Sequence, residues 1–279
     1  NHHAARHHHQ PGGQGSRAGP FRFRIRSASA ALLLAVFLLA SGCGGGGTSG
    51  SAEGRAQAQS LLSNARKQFD ARNYDRALEL VDRAARAAPE FGEVYFARGE
   101  IYRNMGRIGP ARKAYRRAAE LEGSEHRPVR LRLGDLAREE NRYGEALEWY
   151  ERELAVLRDR AEASGSGLDA LSPRSPSGQL LQQIQVRRAR THALRSELDP
   201  AEELLRGVLA RDSTHARAHY YWAKIEQERG QDDRALHRAR RAVRHAPYHP
   251  VYRYLVGSLL VQAERPREAI SHLERVVKV

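Results

Sequence analysis

The feature that most constrains this 279-residue chain is an alanine that returns at a nearly fixed interval. The interval is 34 or 35 residues except between the third and fourth copies, where it is 55; the alanines are Ala77, Ala111, Ala146, Ala201, Ala235 and Ala269. Each follows a turn-forming segment and begins an apolar helical pattern, as in Asn141-Arg-Tyr-Gly-Glu-Ala146-Leu. Such self-similarity is typical of stacked repeats and disfavours one or two ordinary globular domains.

The period and the residue pattern resemble the tetratricopeptide repeat, a helix–turn–helix unit of about 34 residues. The second copy carries the fullest pattern, with Tyr95, Gly99, Tyr102, Gly106, Ala111, Tyr115 and Ala118. The resemblance covers residues 58–279 and implies an all-α solenoid of about six repeats after a disordered N-terminal leader. One hairpin cannot cover its own apolar face, so stacked neighbours must stabilise each other.

Particular residue types have particular tasks in this pattern. Small residues let paired helices approach closely; they are Gly99, Ala111, Gly134, Ala146, Ala223 and Ala235. Larger residues fill the space beside them; they are Tyr115, Tyr150 and Leu205. Gly106, Asn141 and Gly230 suit the left-handed backbone at a helix end.

The 55-residue interval holds one repeat and about 21 further residues. Serine, glycine and proline dominate at residues 164–167 and 171–178, a composition typical of a mobile loop or hinge. We therefore place repeats 1–3 at 58–158, an insertion at 159–178 and repeats 4–6 at 179–279.

The N-terminal part has the pattern of an export signal. Residues 1–26 contain five arginines and no acidic residue, and residues 27–42 contain no charge, as in the n- and h-regions of a signal peptide. The apolar stretch 30–40 is shorter than the ~20 residues that a helix needs to span a bilayer. The pattern favours a cleaved signal at 1–42.

Small residues precede Cys43, the single cysteine, in Leu38-Leu-Ala-Ser-Gly-Cys43. This resembles a bacterial lipoprotein lipobox, with Ala40 where the family usually has leucine. The resemblance implies a lipid on the Cys43 thiol and cleavage before it, with residues 43–57 as a flexible glycine-rich tether. Gly44 in place of aspartate implies the outer membrane, facing the periplasm. The alternative is an ordinary secretory signal with an incidental cysteine.

Sequence motifs give no support for an enzyme. The chain has no phosphate loop, serine-nucleophile motif or His-Glu-x-x-His, so we predict no catalytic residue and no cofactor. A single cysteine excludes a disulfide framework and a cysteine-rich zinc site within the chain. His215 and His219 are spaced for one helix face, but two ligands make a weak site, and we interpret them as packing or exposed residues.

In the resembled family, the first helices of the repeats line a concave groove that holds a peptide or a partner helix. The corresponding groove candidates are Phe96, Glu100, Arg103, Asn104, Leu131, Asp135, Arg138, Tyr220, Lys224, Gln227, Tyr254, Ser258 and Val261. Mixed aromatic and charged residues suit peptide binding. The sequence thus predicts an exported, membrane-anchored scaffold for a protein partner, similar to lipoproteins that help assemble pili, secretion systems or outer-membrane proteins.

Two alternatives follow from other features. The formal charge of +14 falls to +9 without residues 1–42, and a basic run lies on the second helix of the fifth copy: Arg234, His237, Arg238, Arg240, Arg241, Arg244 and His245. This run suits anionic lipid or an acidic polymer, whereas export disfavours nucleic acid. The other alternative is the accessory region of an enzyme whose catalytic domain lies beyond Val279.

Overall fold

The computed structural model describes residues 47–121 and 128–277, and within them it contains twelve α-helices and no strand. The helices are α1 (Gly47–Asp70), α2 (Tyr74–Ala87), α3 (Gly92–Asn104), α4 (Ile108–Glu120), α5 (Val129–Glu139), α6 (Tyr143–Ala163), α7 (Pro176–Leu194), α8 (Leu198–Arg211), α9 (Ala216–Glu228), α10 (Asp232–His245), α11 (Pro250–Gln262) and α12 (Pro266–Val277). The all-α solenoid of six helix pairs is confirmed.

Each odd-numbered helix pairs with the even-numbered helix that follows it, and each pair packs against the next pair. Odd-numbered helices also contact each other directly, α5 with α7 and α7 with α9. One face of the solenoid is therefore built from odd-numbered helices, which are the first helices of the repeats.

In every repeat a small residue on the first helix is followed by a core residue sixteen positions later on the second helix, which we call the filler. Three glycines lie directly against their fillers: Gly99 against Tyr115, Gly134 against Tyr150, and Gly257 against Leu273. Three alanines share a core cluster with theirs: Ala65 with Val81, Ala189 with Leu205, and Ala223 with Ala239. A Cβ added at Gly99 would lie 2.5 Å from the Tyr115 ring, closer than real contacts allow. The repeated alanines on the second helices are all at most 1% exposed. Close approach through small residues thus builds the core, as the sequence predicts.

All six turns inside the repeats contain one residue with positive φ. Gly106, Asn141 and Gly230 adopt it, as expected, and so do three residues that the sequence does not single out, Arg72, Ser196 and Glu264. At each turn, the backbone N–H of the next residue bonds to a carbonyl five residues back, as from Arg107 to Tyr102 at 2.8 Å. This bond closes the helix end and fixes the hairpin.

The serine-, glycine- and proline-rich insertion is packed in the structure. Helix α6 continues to Ala163, a short 3-10 turn covers Leu168–Ala170, and α7 begins at Pro176 after the Ser175 N-cap. Leu168 and Leu171 pack against the core between α6 and α7, and Arg211 donates hydrogen bonds to the backbone carbonyls of both Asp169 and Leu171. The insertion therefore lengthens the third and fourth hairpins.

The tether expected at 43–57 requires a correction, because α1 begins at Gly47. Residues from 52 onward include alanine, glutamate and glutamine, which favour helix. Gly54 lies against the backbone carbonyl of Ala87, and Arg55 lies over the Phe91 ring at 5.9 Å. The signal peptide and Cys43 lie outside the described residues. Among the helices described, none is both long and apolar enough to span a bilayer.

Candidate partner-binding groove

The odd-numbered helices line a groove with two distinct sections. The first section, of about 440 Å³, lies on α1 and α3 and includes Phe69, Phe96 and Ile101. The second section, of about 470 Å³, runs over α3, α5, α7, α9 and the start of α11. Its lining is rich in arginine and tyrosine: Arg103, Arg132, Arg138, Arg187, Arg190, Arg217, Tyr220, Tyr221 and Tyr252. We call this second part the arginine–tyrosine section.

Two of the candidates on α3 are tied to the core. The Phe96 ring lies 5.8 Å from the Tyr115 ring, centroid to centroid. Glu100 accepts a hydrogen bond from the Tyr115 hydroxyl at 2.5 Å and pairs with Arg132 at 2.9 Å. Burial and the Glu100 charge raise the pKa of Tyr115 well above its usual value. Glu100 therefore lines the groove and also accepts the hydrogen bond of the buried Tyr115 hydroxyl.

The other two candidates on α3 lie one turn further along. Arg103 pairs with Glu139 of α5 at 2.7 Å. Burial alone would lower the Arg103 pKa, but the hydrogen bond and charge of Glu139 raise it overall. Asn104 donates to the backbone carbonyl of Glu100 at 2.9 Å. Arg103 thus links adjacent first helices, and Asn104 closes the end of its own helix.

On α5, Leu131 is wrong as a groove residue. Its side chain is 1% exposed and belongs to a core cluster with Tyr150 and Ile184. The residue of α5 that reaches both groove sections is its neighbour, Arg132. One step along a helix turns a side chain by about 100°, which separates core from groove.

Asp135 lies in the arginine–tyrosine section but is only 4% exposed. It accepts hydrogen bonds from the Tyr150 hydroxyl at 3.0 Å and from Arg187 Nε at 3.0 Å, and Arg138 lies 3.6 Å away. Burial raises the pKa of Tyr150, and the Asp135 charge raises it further. Asp135 and Arg138 therefore hold α5, α6 and α7 together beneath the groove surface.

On α9, the Tyr220 ring lies 5.0 Å from the Tyr221 ring and 5.1 Å from the Tyr252 ring. Lys224 donates to Gln227 at 3.1 Å, and Gln227 donates to Gln262 of α11 at 3.1 Å. The structure thus gathers three tyrosines on α9 and α11, of which the sequence identified one.

The α11 candidates lie outside the arginine–tyrosine section. Tyr254 and Val261 are 60% and 55% exposed, and Ser258 donates to the backbone carbonyl of Leu255 at 2.9 Å. Tyr254 and Val261 therefore offer apolar surface on the last repeat.

Sequence reasoning missed six of the nine arginines and tyrosines of this section: Arg132, Arg187, Arg190, Arg217, Tyr221 and Tyr252. Two of them lie on α7, whose repeat departs most from the family pattern and received no groove assignment. A usable signal was present, because Arg187 and Arg190 are spaced by three residues and share a helix face.

The basic run on α10 is partly engaged within the protein. Arg238 lies over the Trp222 ring at 3.9 Å and 3.6 Å from the buried Glu226. Arg240 pairs with Glu268 at 2.9 Å. This even-numbered helix contributes to neither section of the groove.

The two histidines of the helical pair have separate structural contacts. The His215 side chain accepts from the backbone N–H of Ala218 at 3.2 Å and caps α9. His219 is 1% exposed, contacts the Ser213 carbonyl at 3.0 Å and stacks on His245. Within the described part of the chain, no group of three or more metal-binding side chains converges.

The tetratricopeptide repeat family model matches residues 62–124 and 96–165. This confirms the repeat type in the first part of the array. A search of curated proteins found no match.

Solved structures share the fold over most of the chain. PilW, described as a widely conserved type IV pilus biogenesis factor, has a TM-score of 0.61 and 16% identity over 77% of this chain and 90% of that one. Pseudomonas aeruginosa pilF has a TM-score of 0.59 and 14% identity, over 78% of this chain and 90% of that one. The Cut9–Hcn1 assembly of the APC/C has a TM-score of 0.60 and 14% identity, over 80% of this chain and 40% of that one. Identities this low establish the fold alone.

Proposed function

We propose that this tetratricopeptide-repeat scaffold is an adaptor that binds an extended segment of a protein partner in the groove of its odd-numbered helices, without catalysing a reaction. The observation that carries the proposal is that aromatic and charged side chains from successive repeats line two sections of that face, with Arg132 common to both. Alternating apolar and charged surface along a groove suits an extended peptide better than a small molecule. The likeness to PilW and pilF supports assembly of a pilus or a related envelope structure as the setting.

Exposed apolar residues on the last repeat support the same use. Tyr254 lies four residues before Ser258 on α11 and Val261 lies three residues after it, so all three share one helix face. Both are more than half exposed. A partner segment that leaves the arginine–tyrosine section along α11 would cover this surface and gain from its burial.

The test places a photo-crosslinking amino acid at Tyr254, the exposed groove candidate of α11, and separately at His237, an exposed residue of α10. In the cells that make the protein, we expect a discrete crosslinked protein from position 254 and none from position 237. Equal crosslinks from both positions, or none from 254, would contradict the adaptor role.

Salt separates the adaptor from the polyanion alternative. Contacts between exposed charges weaken steeply as the ionic strength rises, because the Debye length falls from ~10 Å at ~0.1 M to ~3 Å at ~1 M. We expect capture of the groove partner to weaken only in part as salt is added, because its apolar contacts do not depend on salt, whereas capture of an acidic polymer by α10 would be lost.

We also propose that Cys43 carries a lipid that holds the scaffold at a membrane outside the cytoplasm, with the outer membrane facing the periplasm favoured. The lipobox resemblance and the absence of any other cysteine support this anchor. We expect the Cys43→Ser variant to leave the membrane fraction and to lose the mass of the lipid. An unchanged mass and unchanged membrane association would show that the anchor proposal is wrong.

A further inference from the structure

We propose that the arginine–tyrosine section recognises an acidic side chain of the partner segment through Arg190 and Arg217. This inference rests on the proposed adaptor function and adds the chemistry of the partner. The supporting observation is that some arginines of this section pair with carboxylates of the protein and others do not.

Most arginines here already have carboxylate partners within the protein. Arg103 pairs with Glu139, Arg132 with Glu100 and Arg187 with Asp135, at 2.7, 2.9 and 3.0 Å. Arg138 lies 3.6 Å from the same Asp135. These guanidinium groups are therefore largely neutralised and hold the first helices in place.

Arg190 on α7 and Arg217 on α9 differ from them. Neither forms an ion pair with a carboxylate among the described residues, and each contacts a tyrosine instead. Arg190 lies over the Tyr221 ring at 5.6 Å, and Arg217 lines the same pocket as Tyr252 and interacts with its side chain. Six arginines and only two carboxylates line the section, so it carries an excess of positive charge, and Arg190 and Arg217 are its two arginines without a carboxylate partner among the described residues.

The tyrosines give these guanidinium groups a defined place. The Tyr220 ring contacts both the Tyr221 ring, edge to face, and the Tyr252 ring, so the three tyrosines form one cluster in the section that Arg190 and Arg217 also line. A guanidinium group has five N–H donors in a fixed plane and can bind a carboxylate with two parallel hydrogen bonds. One ring contact leaves most of these donors available.

The surroundings favour an acidic peptide over a free anion or a lipid headgroup. Val251, which is 46% exposed, and the tyrosine rings offer apolar surface beside the two arginines. A peptide can place a carboxylate on the arginines and an apolar side chain on this surface at the same time. A small anion would leave the apolar surface uncovered, and a flat membrane could not enter a groove lined by five helices.

The experiment measures peptide binding to the full chain by isothermal titration calorimetry. The probe is a short end-blocked peptide of alternating glutamate and phenylalanine, and its reference is the same peptide with glutamine in place of glutamate. We compare Arg190→Gln/Arg217→Gln with Arg241→Gln/Arg244→Gln, which removes the same charge from α10. Inorganic phosphate and vesicles of anionic lipid serve as competitors.

We expect the groove variant to weaken binding of the glutamate peptide about tenfold or more, and the α10 variant less than about twofold. Arg190→Lys/Arg217→Lys keeps the charge but not the paired geometry, so we expect an intermediate loss. This variant also keeps the test valid if the glutamine variant folds poorly, which circular dichroism would reveal.

Equal losses in the groove and α10 variants would overturn the proposal, because net charge alone would then explain binding. Equal binding of the glutamine peptide, or full displacement by phosphate or by vesicles, would overturn it as well. If these results came with a position-254 crosslink, acidic recognition would be wrong and the adaptor role would stand. Loss of that crosslink would instead reject the adaptor.

Discussion

Repeats 2 and 3 differ from repeats 4, 5 and 6 in the residue that fills the core behind the groove. In repeats 2 and 3 the filler is tyrosine, and the groove residue next to the facing glycine is a carboxylate that accepts the tyrosine hydroxyl: Tyr115 with Glu100, and Tyr150 with Asp135. In the later repeats the fillers are Leu205, Ala239 and Leu273, and the corresponding groove residues are Arg190, Lys224 and Ser258.

The difference shows that the core residue constrains the charge of the groove. A buried tyrosine hydroxyl needs a hydrogen-bond partner, and the nearest position that can supply one faces the groove. An aliphatic filler has no hydroxyl that needs an acceptor, so the groove residue next to the facing small residue can be a cation. Arg190 is available to a partner because Leu205, unlike Tyr150, needs no acceptor.

The largest expected effect tests how tightly the glycine and the tyrosine pack. Gly99→Ala places a Cβ 2.5 Å from the Tyr115 ring, and Gly134→Ala meets the Tyr150 ring in the same way. Both rings are fully buried, so we expect each variant to lose about 1–3 kcal/mol of unfolding free energy in urea titrations.

The matched variants are Gly257→Ala, which faces the side-chain end of Leu273, and Gly144→Ala, which has nothing within 4 Å. We expect a smaller loss for Gly257→Ala, because a partly exposed leucine can move. Gly144→Ala should be neutral or stabilising by up to about 1 kcal/mol. A loss at position 257 equal to that at position 99 would remove the distinction between the two regions.

The next effect tests the link between core and groove. Tyr150→Phe leaves the buried Asp135 without its hydroxyl donor, and we expect a loss of about 1–2 kcal/mol of unfolding free energy. Tyr115→Phe should cost less, because Glu100 is less buried than Asp135. Tyr248→Phe, at an 82% exposed side chain, is the control and should leave stability unchanged. If Tyr150→Phe behaved like this control, the hydroxyl would have no part in setting the groove charge.

The smallest effect concerns pH. Burial lowers the pKa of His219, His249 and His272 below the ordinary value of 6.5, and all three lie in the last two repeats or the turn between them. Below about pH 6.5 the unfolded chain binds more protons than the folded one, so these groups stabilise the fold at higher pH and lose that contribution as the pH falls. The described residues of repeats 2 and 3 contain no histidine.

The two tryptophans report on the two regions, since Trp149 lies on α6 and Trp222 on α9. In variants that keep one tryptophan each, we expect the Trp222 unfolding midpoint in urea to fall between about pH 7.5 and 5.5, and the Trp149 midpoint to change less. His219→Gln should reduce the Trp222 shift. Equal shifts at both tryptophans would mean that the array unfolds as one unit over this range.

Local pattern predicted most of the fold. The alanine period located all six hairpins, and Gly106, Asn141 and Gly230 marked three of the six turns. Arg72 and Glu264 adopt the same backbone, but no sequence rule singles out such residues for positive φ. Their conformation follows from the helices that the turn must join.

The groove was less predictable than the fold. On α5 the sequence placed Leu131 in the groove, but Leu131 is buried and its neighbour Arg132 lines the groove. On α7 the sequence assigned no groove residue, because that repeat lacks most of the family pattern. A residue's position in the family pattern predicts its place in the groove where the repeat is regular. It fails where the small residue and its filler change together, as they do at Ala189 and Leu205.

The helix pairs follow from local sequence, because the small residues that bring two helices together recur within each 34-residue unit and act between neighbours in the chain. Which side chains meet in the groove depends on packing between repeats and could not be read from the sequence. Arg187 reaches Asp135 across 52 residues, and Arg190 and Arg217 reach tyrosines on neighbouring repeats. Those contacts depend on how each repeat is rotated on the next, and a shift of one residue along a helix exchanges core for surface.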